Sequence, residues 1–200
     1  MNRRGAALIL FLISGTIACA AKPVLNIQYN VPDSIKKVEG LSAAVVILDQ
    51  RSDKTILDKA AQDQLKDFTG KFVFLTEPYN KTEKDTALGM PELFKKAMGK
   101  RFEAMGATIS ENPEEADVVL RLVVRTFTLR FIDGSWKANI AYEAQLVNDD
   151  RIRAREEVEG SAERVKIIGT GDADKVISKL FTDIMNKLNL DSMLSKAGMD

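Results

Sequence analysis

The chain has 200 residues, with 29 Lys and Arg against 29 Asp and Glu, no histidine, one cysteine and 45% hydrophobic residues. Zero formal charge excludes the broad positive field of a nucleic-acid binder, and the missing histidine removes the commonest general base and zinc ligand. A lone cysteine forms no internal disulfide, so the fold must rest on one sizeable apolar core.

Residues 1–18 read as an export signal: Arg3 and Arg4 are positive, Ala6 to Ile13 are mainly apolar, and Ser14 to Ala18 are mostly small. From Gly5 to Ala21 the run covers 17 residues, short of the roughly 20 that a spanning helix needs. Thr16-Ile17-Ala18-Cys19 resembles a bacterial lipobox, in which the cysteine thiol receives a diacylglyceryl group, the signal is cut before it and the new amine is acylated. The resemblance implies a signal peptide over 1–18, lipidation at Cys19 with palmitate-like chains, and a lipidated tether over 19–23. The competing reading makes Cys19 an incidental free thiol. Ala20, where an aspartate would favour inner-membrane retention, implies the periplasmic face of the outer membrane, with the inner membrane as the alternative. Cleavage removes two basic residues and no acid, leaving 27 basic against 29 acidic side chains.

Leu25, Ile27, Tyr29 and Val31 alternate with polar residues, as in a half-buried strand. Only five residues separate Cys19 from Leu25, so the tether spans at most about 20 Å. Ala43 to Leu48 form a continuous apolar run that fits a strand buried on both faces. It stops at Asp49-Gln50-Arg51, where Asp49 and Arg51 are candidate partner contacts or, on the plainer reading, parts of a turn. Residues 52–89 carry the weakest pattern and read as a flank, with 71–76 a short strand. Met90-Pro91-Glu92 opens a helix whose apolar stripe is Leu93, Phe94, Ala97, Met98, Phe102 and Met105, with Gly106 as its stop.

A strand begins near Ala116-Asp117-Val118 and runs towards Phe131, its parity drifting around Arg125, which predicts a bulge. Asp133-Gly134 is a hairpin signal. The next strand places Trp136, Ala138, Ile140, Tyr142, Ala144 and Leu146 on one face. After Asn148-Asp149-Asp150, a third strand sets Ile152, Ala154, Val158 and Ala162 against Arg151, Arg153, Arg155, Glu157, Glu159 and Glu163. The row Arg151, Arg153 and Arg155 is a candidate contact surface; a solvated sheet face with cross-strand ion pairs gives the same pattern. Ala173, Val176, Ile177, Leu180, Phe181, Ile184 and Leu188 recur at helical spacing behind Gly171-Asp172, where either Asp172 or Thr170 is the candidate cap.

These elements predict an α+β fold: a two-layer sandwich with a mixed, mainly antiparallel sheet, a C-terminal three-stranded meander and two helices packed on one face. One domain is expected over 24–190, with a tail over 191–200. The lipobox, Val45 to Leu48 leading into Asp49-Gln50-Arg51, the helix ending at Gly106, Ala116-Asp117-Val118 and the Trp136 meander with its last helix together resemble the YajG-like bacterial lipoproteins. That resemblance implies a small outer-membrane lipoprotein with no catalytic residues. A more distant likeness is to auxiliary lipoproteins of envelope transport systems.

No catalytic residue, metal ligand or cofactor site is expected. Asp149-Asp150, Glu156-Glu157 and Asp172-x-Asp174 fall at turns or polar faces without calcium-loop spacing. The function expected is a non-catalytic binding or assembly module of the cell envelope. It is anchored to the membrane by its N-terminal lipid, takes an envelope protein as partner and binds no nucleic acid. The alternative is an accessory lipoprotein of a lipid or envelope transport system. An apolar groove between sheet and helices would favour lipid handling, and a filled core with an unpaired strand edge would favour protein docking.

Overall fold

The computed structural model describes residues 24–38, 40–76, 86–166 and 171–199. The expected signal, Cys19 and the tether to residue 23 lie outside them, as does Thr170. The strands are β1 (Leu25–Tyr29), β2 (Ser42–Asp49), β3 (Phe72–Thr76), β4 (Ala87–Leu88), β5 (Thr108–Ile109), β6 (Val118–Ile132), β7 (Ser135–Asn148) and β8 (Arg151–Val165). The helices are α1 (Lys59–Gln64), α2 (Met90–Met105), α3 (Gly171–Lys187) and α4 (Leu190–Lys196). The fold is α+β, with the meander β6-β7-β8 antiparallel throughout.

The strands divide between two sheets, one ordered β5-β2-β6-β7-β8 and a smaller one ordered β1-β3-β4. β1 leaves the main sheet because its inward set, Leu25, Ile27 and Tyr29, is buried in a parallel register with β3 and against α3. The expected strand within 71–76 is β3, and the preceding flank is anchored: Leu57, Ala61 and Leu65 are buried, and Leu57 bridges to Leu129 on β6. Its apolar residues are spaced too irregularly to announce this docking in advance.

Helix α2 begins with Pro91 in its first turn and ends at Gly106, whose φ of 92° is the left-handed conformation that glycine adopts freely. The Gly106 N–H donates to the Glu103 carbonyl at 3.0 Å, and the Ala107 N–H to that of Phe102 at 3.0 Å. The expected stripe of α2 is buried throughout. Phe94 is its hub, meeting Phe127 of β6, Tyr142 of β7 and Phe181 of α3 edge-on at centroid distances of 5.6, 6.1 and 5.3 Å. Phe72 of β3 joins through Phe127 at 5.5 Å. One aromatic cluster thus ties both sheets to both long helices.

Helix α3 lies close on β8 because Gly160 has no side chain; a Cβ there would collide with the Ile184 side chain. The chain breaks at Asn189, whose side chain accepts from the Ser192 N–H at 3.0 Å and starts α4. Residues 191–200, expected as a tail, therefore include most of a short helix, and its Leu190, Met193 and Leu194 are buried. The bulge expected near Arg125 is present, since Val124 faces Tyr142 while Thr126 faces Ala141. Strand β2 departs from its expectation: Ala43, Ala44 and Val45 are buried, but Leu48 is 38% exposed. The helices cover one face of the main sheet and leave the other open along the second half of β2.

Candidate functional site

The open face of the main sheet and the outer edge of β8 form an accessible polar surface with a regular pattern. Strand β8 is terminal in its sheet, 15 residues long, and mostly exposed. Its register against β7 slips by one between Leu146 and Val147: Ala154 faces Leu146 and Ile152 faces Val147, so Arg153 has no opposite residue. The slip turns Ile152 onto the open side, where it is 44% exposed, instead of grouping it with Ala154 and Val158. The three arginines consequently do not share one face, because a bulge reverses the alternation that a continuous strand would keep.

Arg155 and Arg153 are both held by local acids. The Arg155 Nε meets the Glu143 carboxylate at 3.0 Å, and Arg125 Nη2 meets its other oxygen at 2.8 Å. Gln145 donates to Glu143 at 2.6 Å. Guanidinium groups rather than apolar atoms thus cover Glu143, which is 5% exposed. Hydrogen bonding from Gln145 and Arg125 holds its carboxyl below the usual glutamate range. Arg153 pairs with Asp149 at 3.4 Å, and Arg151, at the strand's start, is exposed. Glu157 faces Glu143 across the ladder, a like-charge pair relieved by Arg125 and Arg155.

Asp49 and Arg51 form a clamp. Arg51 donates from Nε to Asp49 Oδ1 at 3.0 Å and from Nη2 to Oδ2 at 2.9 Å, and its Nη1 reaches the Phe127 carbonyl at 3.3 Å. Lys54 Nζ adds 3.1 Å to Oδ1. With its side chain 6% exposed, Arg51 locks the exit of β2 to β6 just beyond the Arg125 bulge. Bonding from Arg51, reinforced by Lys54, pulls the Asp49 carboxyl well below the usual range against a smaller opposing effect of burial.

Two arrangements escaped the sequence reading. Arg101 lies on the buried stripe of α2, 7% exposed, and donates from Nη1 to the Met185 carbonyl and from Nη2 to that of Leu188 at 3.0 Å. It thereby caps the C-terminal end of α3, where the helix dipole favours a cation. Its place four residues after Ala97 and seven after Phe94 was the available signal. The second is a polar ladder along α3. Asp174 accepts from the Asn26 N–H at 3.1 Å, and Ser178 accepts from that of Gln28 at 2.9 Å. Thr182 donates to the Gln28 carbonyl at 3.1 Å, and Asn186 to that of Asn30 at 2.8 Å. Four side chains at four-residue intervals thus satisfy the outer edge of β1, doing for it what another strand would do.

Grooves lie at the surface. One of about 400 Å³ follows this ladder and is lined by Asn26, Gln28, Ser178 and Thr182. Another of about 360 Å³ lies over Ile56, Leu65 and Phe68. The space between sheet and helices is filled by Leu93, Phe94, Phe102, Phe127, Tyr142 and Phe181, all buried. Among the described residues no three His, Cys, Asp or Glu side chains converge as a metal site, and no helix is long and apolar enough to cross a membrane.

The sequence matches no family model and no curated protein. Among solved structures, protein XCC0632 from Xanthomonas campestris, of the family DUF330, is similar with a TM-score of 0.59 at 12% identity, over 88% of this chain and 96% of that one. A candidate lipoprotein from Caulobacter crescentus aligns with a TM-score of 0.40 at 12% identity, over 54% and 83% of the two chains. Lipoprotein GNA1162 from Neisseria meningitidis aligns at 0.29 and 12%, over 73% and 99%. What the chain shares with XCC0632 is its α+β fold.

Proposed function

We infer that this chain is a YajG-like lipoprotein of the bacterial outer membrane, anchored through an acylated Cys19, that docks an envelope protein and carries out no reaction of its own. The observation that supports docking is the combination of a filled core with the long outer edge of β8, which no strand pairs among the described residues. Lipid handling needs an apolar groove; here aromatic and aliphatic side chains occupy the space such a groove would use. An exposed strand edge, by contrast, offers alternating N–H and C=O groups to an added strand. On β8 the Glu159 carbonyl points outward, accepting from Lys187 Nζ at 3.1 Å. By strand alternation, the backbone groups of residues 157, 161 and 163 share that direction. The acids and arginines beside this edge set register and discriminate among partners rather than supply bulk affinity. A partner belonging to a transport system would make the protein an accessory of that system.

Photo-crosslinking in intact cells tests this reading. A photoreactive residue replacing Glu157 or Ser161 on β8 is expected to capture one envelope protein. The same group replacing Lys179 on the exposed side of α3 is expected to capture none. Equal capture from both elements, or none from β8, would overturn edge docking.

A further inference from the structure

We propose that the domain rests on the lipid surface through the tip of the β6–β7 hairpin, with Ile132 and Val165 entering the interface and Arg130, Lys137 and Lys166 lying at headgroup level. The inference rests on the reading of Cys19 as an acylated anchor. The Asn26 N–H is bound by Asp174 in the first turn of α3. Two residues earlier in that helix, Asp172 accepts from Arg164 Nε at 3.1 Å. Arg164 faces Trp136, and Val165 faces Ser135, which in turn faces Ile132. The start of β1 and the hairpin tip therefore occupy the same end of the molecule. Five residues between Cys19 and Leu25 keep that end within about 20 Å of the bilayer.

That end carries two of the four large apolar side chains that are exposed among the described residues: Val165 at 64% and Ile132 at 37%. They flank Ser135 on adjacent strands, about 10 Å apart across two strand spacings. Two rungs inward lie Arg130 and Lys137, paired in register. The Lys166 N–H donates to the Gly134 carbonyl at 2.9 Å, while its Nζ lies over the Phe131 ring at 5.6 Å. Two acids share this end, Asp133 in the turn and Glu163, which meets Lys137 Nζ at 3.5 Å, against Arg130, Lys137 and Lys166; apolar tips beside this net positive charge suit an anionic lipid surface.

At the other end acids outnumber the neighbouring Arg151 and Arg153, the second of which pairs with Asp149 at 3.4 Å. Glu114, Asp117, Asp149 and Asp150 line one surface cavity there, with Glu111 and Glu115 close by in the chain. Along the 15 residues of β8 the two ends stand about 50 Å apart, beyond the reach of the tether. The charge gradient along the meander therefore turns the hairpin tip, rather than the β7–β8 turn, towards anionic lipid. This orientation stands β8 upright from the membrane and leaves its outer edge open to a partner.

The test uses the full chain purified with its acyl groups and incorporated into vesicles of phosphatidylethanolamine, phosphatidylglycerol and a brominated phospholipid. Ile132→Cys, Val165→Cys and Asp150→Cys are made separately and labelled with an environment-sensitive fluorophore, the acylated Cys19 leaving one free thiol in each. The label at 132 and at 165 is expected to shift to the blue and lose emission at least about twofold, as at an interfacial depth, while that at 150 is unchanged. Arg130→Glu combined with Lys137→Glu is expected to weaken the quenching at 165. Equal emission at all three positions in protein that floats with the vesicles would overturn tip docking and leave the anchor intact. A chain that fails to float and carries an unmodified Cys19 would overturn both.

Discussion

Arg101 holds its charge inside the protein with carbonyls in place of a carboxylate. Burial lowers the pKa of its guanidinium, with smaller opposing influences from neighbouring phenols and acids; the end of α3 supplies the compensating dipole. Replacing it with methionine keeps the stem's packing but leaves the Met185 and Leu188 carbonyls without their donor. Arg101→Met is expected to lower stability by about 2–4 kcal/mol, measured by urea unfolding. At Asp49 and Glu143 the relevant variable is pH. Both carboxyls are held below their ordinary values of 3.8 and 4.5, so the unfolded chain binds more protons in the window beneath those values. Their contribution to stability is therefore full above about pH 5 and falls as the pH drops through that window. Asp49→Asn is expected to flatten this acid limb in thermal melts taken across it. Asp174 has the opposite sign: burial raises its pKa, against the bonds from Asn26, so its contribution declines as pH rises above 3.8.

At the scale of elements, the turn between β7 and β8 is held in an unfavourable conformation. Asp149 and Asp150 have φ of 48° and 58°, both in the left-handed region required by a two-residue hairpin turn and preferred by Asn-Gly. Asp149→Asn with Asp150→Gly is expected to raise the melting temperature, corresponding to about 0.5–1 kcal/mol. Unchanged or lower stability would mean that Asp149 contributes more through Arg153 than it costs in strain. Most element identities were legible because each rests on local periodicity: the stripe of α2, the clean alternation of β7, the drift at Arg125 and the Asp133-Gly134 turn. The slip at Arg153 was not legible, because a bulge is visible only against the partner strand and Ile152 continues the apparent alternation. The sheet to which β1 belongs was equally hidden. Parallel pairing with β3 spans more than forty residues and is decided by the tertiary fit of Tyr29 beside Phe74 and Phe181, at 5.9 and 6.0 Å.

For the whole molecule, cohesion comes from the aromatic cluster around Phe94, which joins both sheets and both long helices. Phe94→Ala is expected to cost about 3–5 kcal/mol and to unfold the domain in one cooperative step, read by coincident near- and far-ultraviolet dichroism transitions. Separate transitions would mean that β1-β3-β4 is an independent unit. The candidate contacts were legible as residue types but not as roles: Asp49 and Arg51 are joined to each other, and Arg155 is held by Glu143. The β8 edge is a property of strand order, which no local pattern announces. Anchoring organises the rest of the functional account, since it fixes which end faces lipid and which edge stays open. Intact-mass and N-terminal peptide spectrometry of the protein recovered from envelopes tests it most directly. A mature chain beginning at Cys19, with a diacylglyceryl thioether and an acylated amine, is the result predicted; a free thiol at Cys19, or a mature chain starting elsewhere, would contradict it.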